Sequence, residues 1–219
     1  MGFDLSRIDL HDTLIWLLVV VISISVHEFA HALAADRLGD DLPRRQGRLT
    51  LLPTEHFDPV GFLMIVFLAL GGVGLGWGKP VQVNPAVFRH PRRDMSLIAI
   101  AGPFSNLILA VVCGLLLRMV VGFQAGPSGE PSLAQELLHA FVVSNLGLMF
   151  FNMIPIPPLD GSKVLSNILP FEQSVAYDRT MGQYGVMLLL LLVFLGRGVL
   201  GMITGQPTAY LYGLILGLG

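Results

Sequence analysis

Charge is what this 219-residue sequence has least of. Only 13% of its residues are Asp, Glu, Lys or Arg, about half the share found in a soluble domain. A water-facing shell cannot be built from so few. A mean hydropathy of +0.71 and 53% hydrophobic residues place the chain in a bilayer as one compact domain of several spans. Basic character is also missing. The net charge of -2, with no Lys/Arg face interleaved with aromatics, leaves no case for a nucleic-acid partner. The lone cysteine, Cys113, excludes an internal disulfide and a Cys-based zinc knuckle, and reads as a small core or lipid-facing side chain. No repeat of fixed period marks a solenoid. The N-terminal "MGFDLSRIDLHD" lacks a basic leader and a cleavage site, so the first apolar segment is expected to stay in the mature chain.

Long hydrophobic runs are plentiful. Five stretches, 13–35, 60–77, 95–122, 132–154 and 184–204, approach the roughly 20 residues a helix needs to cross hydrocarbon. A shorter tail, 208–218, suits a half-span or a surface helix. The second stretch is short and runs into the glycine-dense "GGVGLGWGKP", which disfavours a regular helix. Its flanks are informative. Residues 36–58 carry Arg37, Arg44, Arg45 and Arg48, and residues 79–94 carry Lys79, Arg89, Arg92 and Arg93. The 123–131 connection has neither Lys nor Arg, and 161–183 has Lys163 and Arg179. Cytoplasmic loops collect Lys and Arg, so both flanks of 60–77 are expected on the cytoplasmic side. A segment with both ends on one side is re-entrant, which is tolerated where protein or a wet cavity covers its backbone. "VQVNP" (81–85) alternates apolar and polar and is a candidate strand beside it.

Against this apolar background, "VISISVHEFAHALAADRLGD" (21–40) stands out. Ionisable residues inside a membrane segment are expensive and mark function. "HEFAH" is an H-E-x-x-H pattern. On a helix, His27 and His31 share a face and can hold one metal ion, with Glu28 beside it as a proton acceptor. Chance placement would give about 0.004 such matches in this composition. Two histidines leave a catalytic zinc one protein ligand short. His56, Asp58, His90, His139 and Asp160 are the candidates, and "FNMIPIPPLDGS" (151–162) draws attention to Asp160. Three prolines break the fourth apolar stretch just before it, and Gly161 follows. The alternative for that break is a plain helix stop with Asp160 capping a short helix. If Asp160 is the third ligand, the first and fourth spans must run in the same direction. That requires a single crossing between them, hence a 60–77 segment that fails to cross.

Taken together, "HEFAH", "AGPFSN" (101–106) and "FNMIPIPPLDG" resemble the site-2 protease family of intramembrane zinc metalloproteases. "GRLTLLPTEHFDPVG" and "GWGKPVQVNP" are similar to its small prokaryotic branch, which lacks PDZ and CBS domains. Leu52 departs from the pattern, where Asn is expected before Pro53. The resemblance implies that His27, His31 and Asp160 bind one Zn2+ per chain. It implies that Glu28 is the catalytic acid/base, and that Asn152 holds the substrate or its oxyanion. His56, Asp58 and Asn106 are further candidates for substrate contact or gating, although Asn106 also suits helix packing and "DP" at 58–59 a simple turn.

The expected fold is therefore an all-α polytopic membrane protein. It is a bundle of four to six transmembrane segments with a re-entrant segment and a candidate short β-hairpin. The expected organisation is a single membrane-embedded domain over 1–219, with a core at 13–169 and C-terminal helices at 181–218. The expected activity is endopeptidase cleavage of membrane-embedded proteins through water activated by Glu28. The expected location is a prokaryotic plasma membrane, with the site toward the cytoplasm. A zinc transporter or sensor without protease activity is the alternative. It would need metal ligands strung through several spans, whereas these converge on one place.

Overall fold

A computed structural model describes residues 9–123 and 131–217. The first helix, α1 (Leu10–Arg37), starts where the Asp9 carboxylate accepts the backbone N–H groups of His11 and Asp12, so unpaired donors of the first turn are satisfied. Its 28 residues extend about 42 Å, ample for a crossing. There follow α2 (Leu42–Arg45), α3 (Pro59–Ala69), α4 (Pro91–Phe123), α5 (Leu133–Asn152), α6 (Asp160–Ile168), α7 (Phe171–Leu195), α8 (Arg197–Leu200) and α9 (Gln206–Leu216). A π-helical turn, Gly201–Gly205, joins α8 to α9. Among the described residues, five helices are long and apolar enough to cross a membrane: α1, α4, α5, α7 and the continuous Arg197–Leu216. The protein is thus an all-α polytopic membrane protein.

The second apolar stretch does not make a sixth crossing. Only 11 residues of it are helical, as α3, about 16 Å of rise and half the hydrocarbon thickness. Asp58 caps α3 by accepting from Val60 and Gly61 N–H, each at 3.0 Å. The glycine-rich segment then brings the chain back to its starting point. Gly78 forms an antiparallel bridge with Phe57, and Lys79 N–H donates to the His56 carbonyl at 2.7 Å. Both ends of the segment lie side by side, which is the geometry of a re-entrant dip.

Three expectations change in detail. Among the described residues, the hairpin reduces to that isolated Phe57–Gly78 bridge. Pro80 and Pro85 remove donors at both ends of 81–84, and Asn84 N–H goes to the Asp40 carboxylate at 2.7 Å rather than to a ladder. The stretch expected at 184–204 is divided between two helices. α7 already begins at Phe171, and Gly196 separates it from the next span. Hydropathy registers only the apolar half of α7; Glu172, Gln173, Asp178 and Arg179 suit a helical start beyond the hydrocarbon. The tail expected at 208–218 belongs to the last span. The segments 1–8 and 124–130, which include most of the Lys/Arg-free connection, lie outside the described residues.

The relative directions of α1, α4 and α5 position everything that follows. His11 Nε2 meets Glu136 Oε2 at 2.7 Å near the starts of α1 and α5. Ser23 meets Asn145 midway at 2.8 Å, and His27 meets Asp160 just beyond the end of α5 at 3.1 Å. The two helices therefore run in parallel. α4 lies against both and runs the other way, with Ile98 beside His31 and Asn106 beside His27 and Ser23. Ala110 and Cys113 of α4 pack on Val142 and Leu146 of α5. By contrast, α7 and the last span are little buried, and both present large apolar side chains such as Leu191, Phe194 and Met202 outward.

Candidate metal centre

His27 and His31 lie one turn apart on the buried face of α1. Asp160 opens α6, in the first turn after the proline-broken end of α5. Chain geometry around it is tight. A methyl group on Gly161 would collide with the Met153 carbonyl, so glycine there lets the 153–161 loop fold closely enough to aim Asp160 inward. His27 Nε2 and His31 Nε2 are 3.0 Å apart, and each is 3.1 Å from Asp160 Oδ2. All three residues are buried.

What these three groups could hold follows from the far side of each ring. His27 Nδ1 lies 2.6 Å from the Asn106 side-chain oxygen, and His31 Nδ1 lies 2.7 Å from the Ile98 carbonyl. Both partners are acceptors, so each Nδ1 carries the proton and each Nε2 is a lone pair. Two lone pairs and a carboxylate oxygen then converge with no donor among them. That arrangement repels itself unless a cation sits within it. Tetrahedral zinc at ~2.0–2.1 Å from N and O ligands spaces them by about 3.3 Å, close to the separations found. Room for the ion is provided by α4. A methyl group on Gly102 would sit 2.6 Å from His27 Nε2 and closer still to His31 Nε2. The residues therefore fit zinc. They form the one group of three or more His, Cys, Asp or Glu with metal-holding geometry among the described residues.

A buried polar chain stands behind His27. Asn106 Nδ2 donates to the Asn145 side-chain oxygen at 2.7 Å, Asn145 Nδ2 donates to Ser23 Oγ at 2.8 Å, and Ser23 Oγ donates to the Val19 carbonyl at 2.7 Å. Three spans are linked through it. Asn145 escaped the sequence reading, although an Asn within an apolar span is the signal that could have found it. Asp160 Oδ1, the oxygen turned from the histidines, lies 3.4 Å from Lys163 Nζ.

Glu28 points toward the covering segment formed by the re-entrant dip. Its Oε2 is buried without a hydrogen-bond partner and lies 3.9 Å from Arg48 Nη2. Burial pushes the Arg48 guanidinium down from its ordinary value, while the Glu28 and Glu55 carboxylates pull it back up. His56 is fully buried, its Nε2 2.7 Å from the Thr50 carbonyl, and Asp58 is occupied in capping α3. Neither belongs to the three-residue group. Asn152 sits at the end of α5, and its amide donates to the Leu148 carbonyl of the same helix at 2.9 Å. His11 and His139 pair with Glu136 and Tyr212, away from the centre.

A membrane-embedded metal centre with His27-Glu28 adjacency defines a metallohydrolase class, and comparison with known proteins specifies it further. The profile of peptidase family M50 matches residues 15–133 and 129–195. The chain is 37% identical over 161 residues to YwhC of Bacillus subtilis, a protein provisionally named a zinc metalloprotease, covering 70% of this chain and 68% of that protein. It is 24% identical over 217 residues to a zinc metalloprotease of Methanocaldococcus jannaschii, covering 88% of this chain and 52% of that one. Stage IV sporulation protein FB of Bacillus subtilis is 30% identical over 104 residues, 46% of this chain and 32% of that protein. No solved structure gives a significant match. The chain belongs to peptidase family M50 and is a zinc metalloprotease by family. It spans roughly half to two thirds of most of these relatives' length.

Proposed function

We propose that this protein is an intramembrane endopeptidase that hydrolyses peptide bonds of membrane-embedded proteins. The observation that carries the proposal is the convergence of two imidazole lone pairs and a carboxylate, next in sequence to a glutamate, at the end of an apolar helix. His27, His31 and Asp160 hold the metal. Zinc bound there supplies Lewis acidity, lowering the pKa of water and polarising a scissile carbonyl. Glu28 takes the proton of the attacking water and delivers it to the leaving amine. Asn106 and the Ile98 carbonyl keep both rings in the tautomer that presents Nε2. Asn152 steadies the carbonyl oxygen as charge builds on it, once its amide leaves Leu148.

A substrate helix hides its amides and must unwind to be cut. The backbone of 81–84, bounded by prolines and outside any ladder, suits pairing with an extended chain. His56 and Asp58 influence substrate access through the re-entrant segment they anchor. The Arg and Lys residues on both flanks of that segment support an orientation with the centre toward the cytoplasm, in a prokaryotic plasma membrane. The whole chain acts as one domain, with the core at 13–169 and the C-terminal helices supporting it in lipid.

Glu28→Gln tests the proposal. Purified variant is expected to keep its zinc and lose cleavage of a membrane-protein substrate by about 10^2–10^4-fold, the usual worth of a general acid/base. Cleavage at the wild-type rate would refute it.

A further inference from the structure

The "GRLTLLP" motif (47–53) contributes nothing to the chemistry above, yet Arg48 is among the most deeply buried charges, at 2% exposure. A guanidinium that deep needs partners. Nη1 donates to the Glu55 carbonyl and Nη2 to the Lys79 carbonyl, so this one side chain ties together both ends of the re-entrant dip. Those ends are themselves joined by Lys79 N–H to the His56 carbonyl and by the Phe57–Gly78 bridge. The same Nη2 lies 3.9 Å from Glu28 Oε2. Neither Glu28 Oε2 nor Arg48 Nε has a hydrogen-bond partner, and both are buried. On the other side of the carboxylate stands Gly78, where a methyl group would lie 3.3 Å from Glu28 Oε1 and 3.1 Å from the His56 carbonyl. The Glu28 carboxylate is thus bracketed, one oxygen by the Gly78 backbone and the other by Arg48.

We infer that Arg48 is a positioning residue for Glu28: its guanidinium holds the carboxylate in one orientation and couples that orientation to segment 76–79, which covers it. The inference rests on Glu28 being the acid/base. It goes further by assigning the motif that surrounds Arg48. Arg suits the task better than Lys because its planar fork can serve two carbonyls and still present a face to the carboxylate.

The test is a double-variant cycle on the full-length protein in detergent, using Arg48→Gln, Glu28→Gln and the two together. Arg48→Gln removes the compensating charge from a buried carboxylate. It is expected to lower the thermal midpoint by several degrees beside Glu28, and by clearly less in the Glu28→Gln background. Equal losses in both backgrounds would show that Arg48 only clamps the two carbonyls and would overturn the inference. If Arg48→Gln fails to fold alone, a folded double variant counts as the same coupling, and failure of both counts against it. A kinetic arm completes the test. Arg48→Gln is expected to lower kcat by about 10–100-fold, the cost of a misplaced catalytic group, with KM and zinc content unchanged, and Arg48→Lys is expected to recover part of the loss. An unchanged kcat, or no recovery by Lys, would overturn the positioning role. The midpoint cycle needs no cleavage, so a failure of the Glu28 assignment, read as full cleavage by Glu28→Gln, remains separate.

Discussion

The two walls of the centre are built differently. On the metal-holding wall, α1, α4 and α5 satisfy both ring nitrogens in opposite ways: Nδ1 is tied to an acceptor, and Nε2 is left for an ion. Behind His27 the chain of hydrogen bonds runs on through Asn106, Asn145 and Ser23 to a backbone carbonyl. The covering wall, residues 48–79, is made of a short helix, glycine-rich returns and one isolated bridge. Arg48 Nε and His56 Nδ1 of this wall, and Glu28 Oε2 of α1 facing it, are buried without hydrogen-bond partners, as is Thr208 Oγ1 in the last span. A fully paired polar network rigidifies its surroundings, while buried polar atoms left unpaired are costly. The lesson is a division of labour. The metal-facing side chains are held by hydrogen bonds on their far sides, and the covering segment keeps hydrogen-bonding capacity in reserve.

Three variants sharpen that contrast, from the largest expected effect to the smallest. Gly102→Val fills the space in front of both Nε2 atoms. It should leave a protein with normal helical content by circular dichroism that binds no zinc and cleaves nothing; zinc at wild-type stoichiometry would show that the cradle lies elsewhere. Asn106→Leu releases the His27 ring from its acceptor. Loss of such a supporting hydrogen bond weakens metal binding by about 10–100-fold, or roughly 1.4–2.7 kcal/mol, as a competition titration with a chelator would measure. Asp58→Ala acts on the covering wall alone. It removes the α3 cap at a cost of about 1 kcal/mol, visible as a lower thermal midpoint. Zinc affinity should stay within about twofold, since distant sites without shared partners act independently. A parallel fall in zinc affinity would mean the walls are not separable.

Much of the metal wall was legible in the sequence because helical periodicity alone puts His27 and His31 on one face. Asp160 was legible because proline-dense breaks in apolar runs are rare, and the parallel course of α1 and α5 followed from requiring it to reach the histidines. The re-entrant dip was legible in its glycines and its two basic flanks. The covering wall was not. Arg48 hydrogen-bonds to carbonyls 7 and 31 residues away, and no local pattern distinguishes such a buried arginine from the solvent-facing Arg44 and Arg45 beside it. Asn106 reads as a gating candidate or as packing, not as a support for His27, because that contact crosses 79 residues of chain. The start of α7 was hidden by polar side chains, which suit a helix leaving the bilayer and lower the hydropathy that marks one.

The parallel arrangement of α1 and α5 also imposes an order on the protein's birth. His27 precedes Asp160 by 133 residues. At about 5–20 residues per second, the ribosome needs roughly 7–27 s to deliver the third ligand after the first. During that interval the chain carries α1 with Glu28 and only two of the three proposed ligands. α4 and then α5 must insert, in opposite directions, before Asp160 can close the centre. Asp160 follows α1, α4 and α5 in the chain, so the proposed ligand set is complete only once all three central helices have been made.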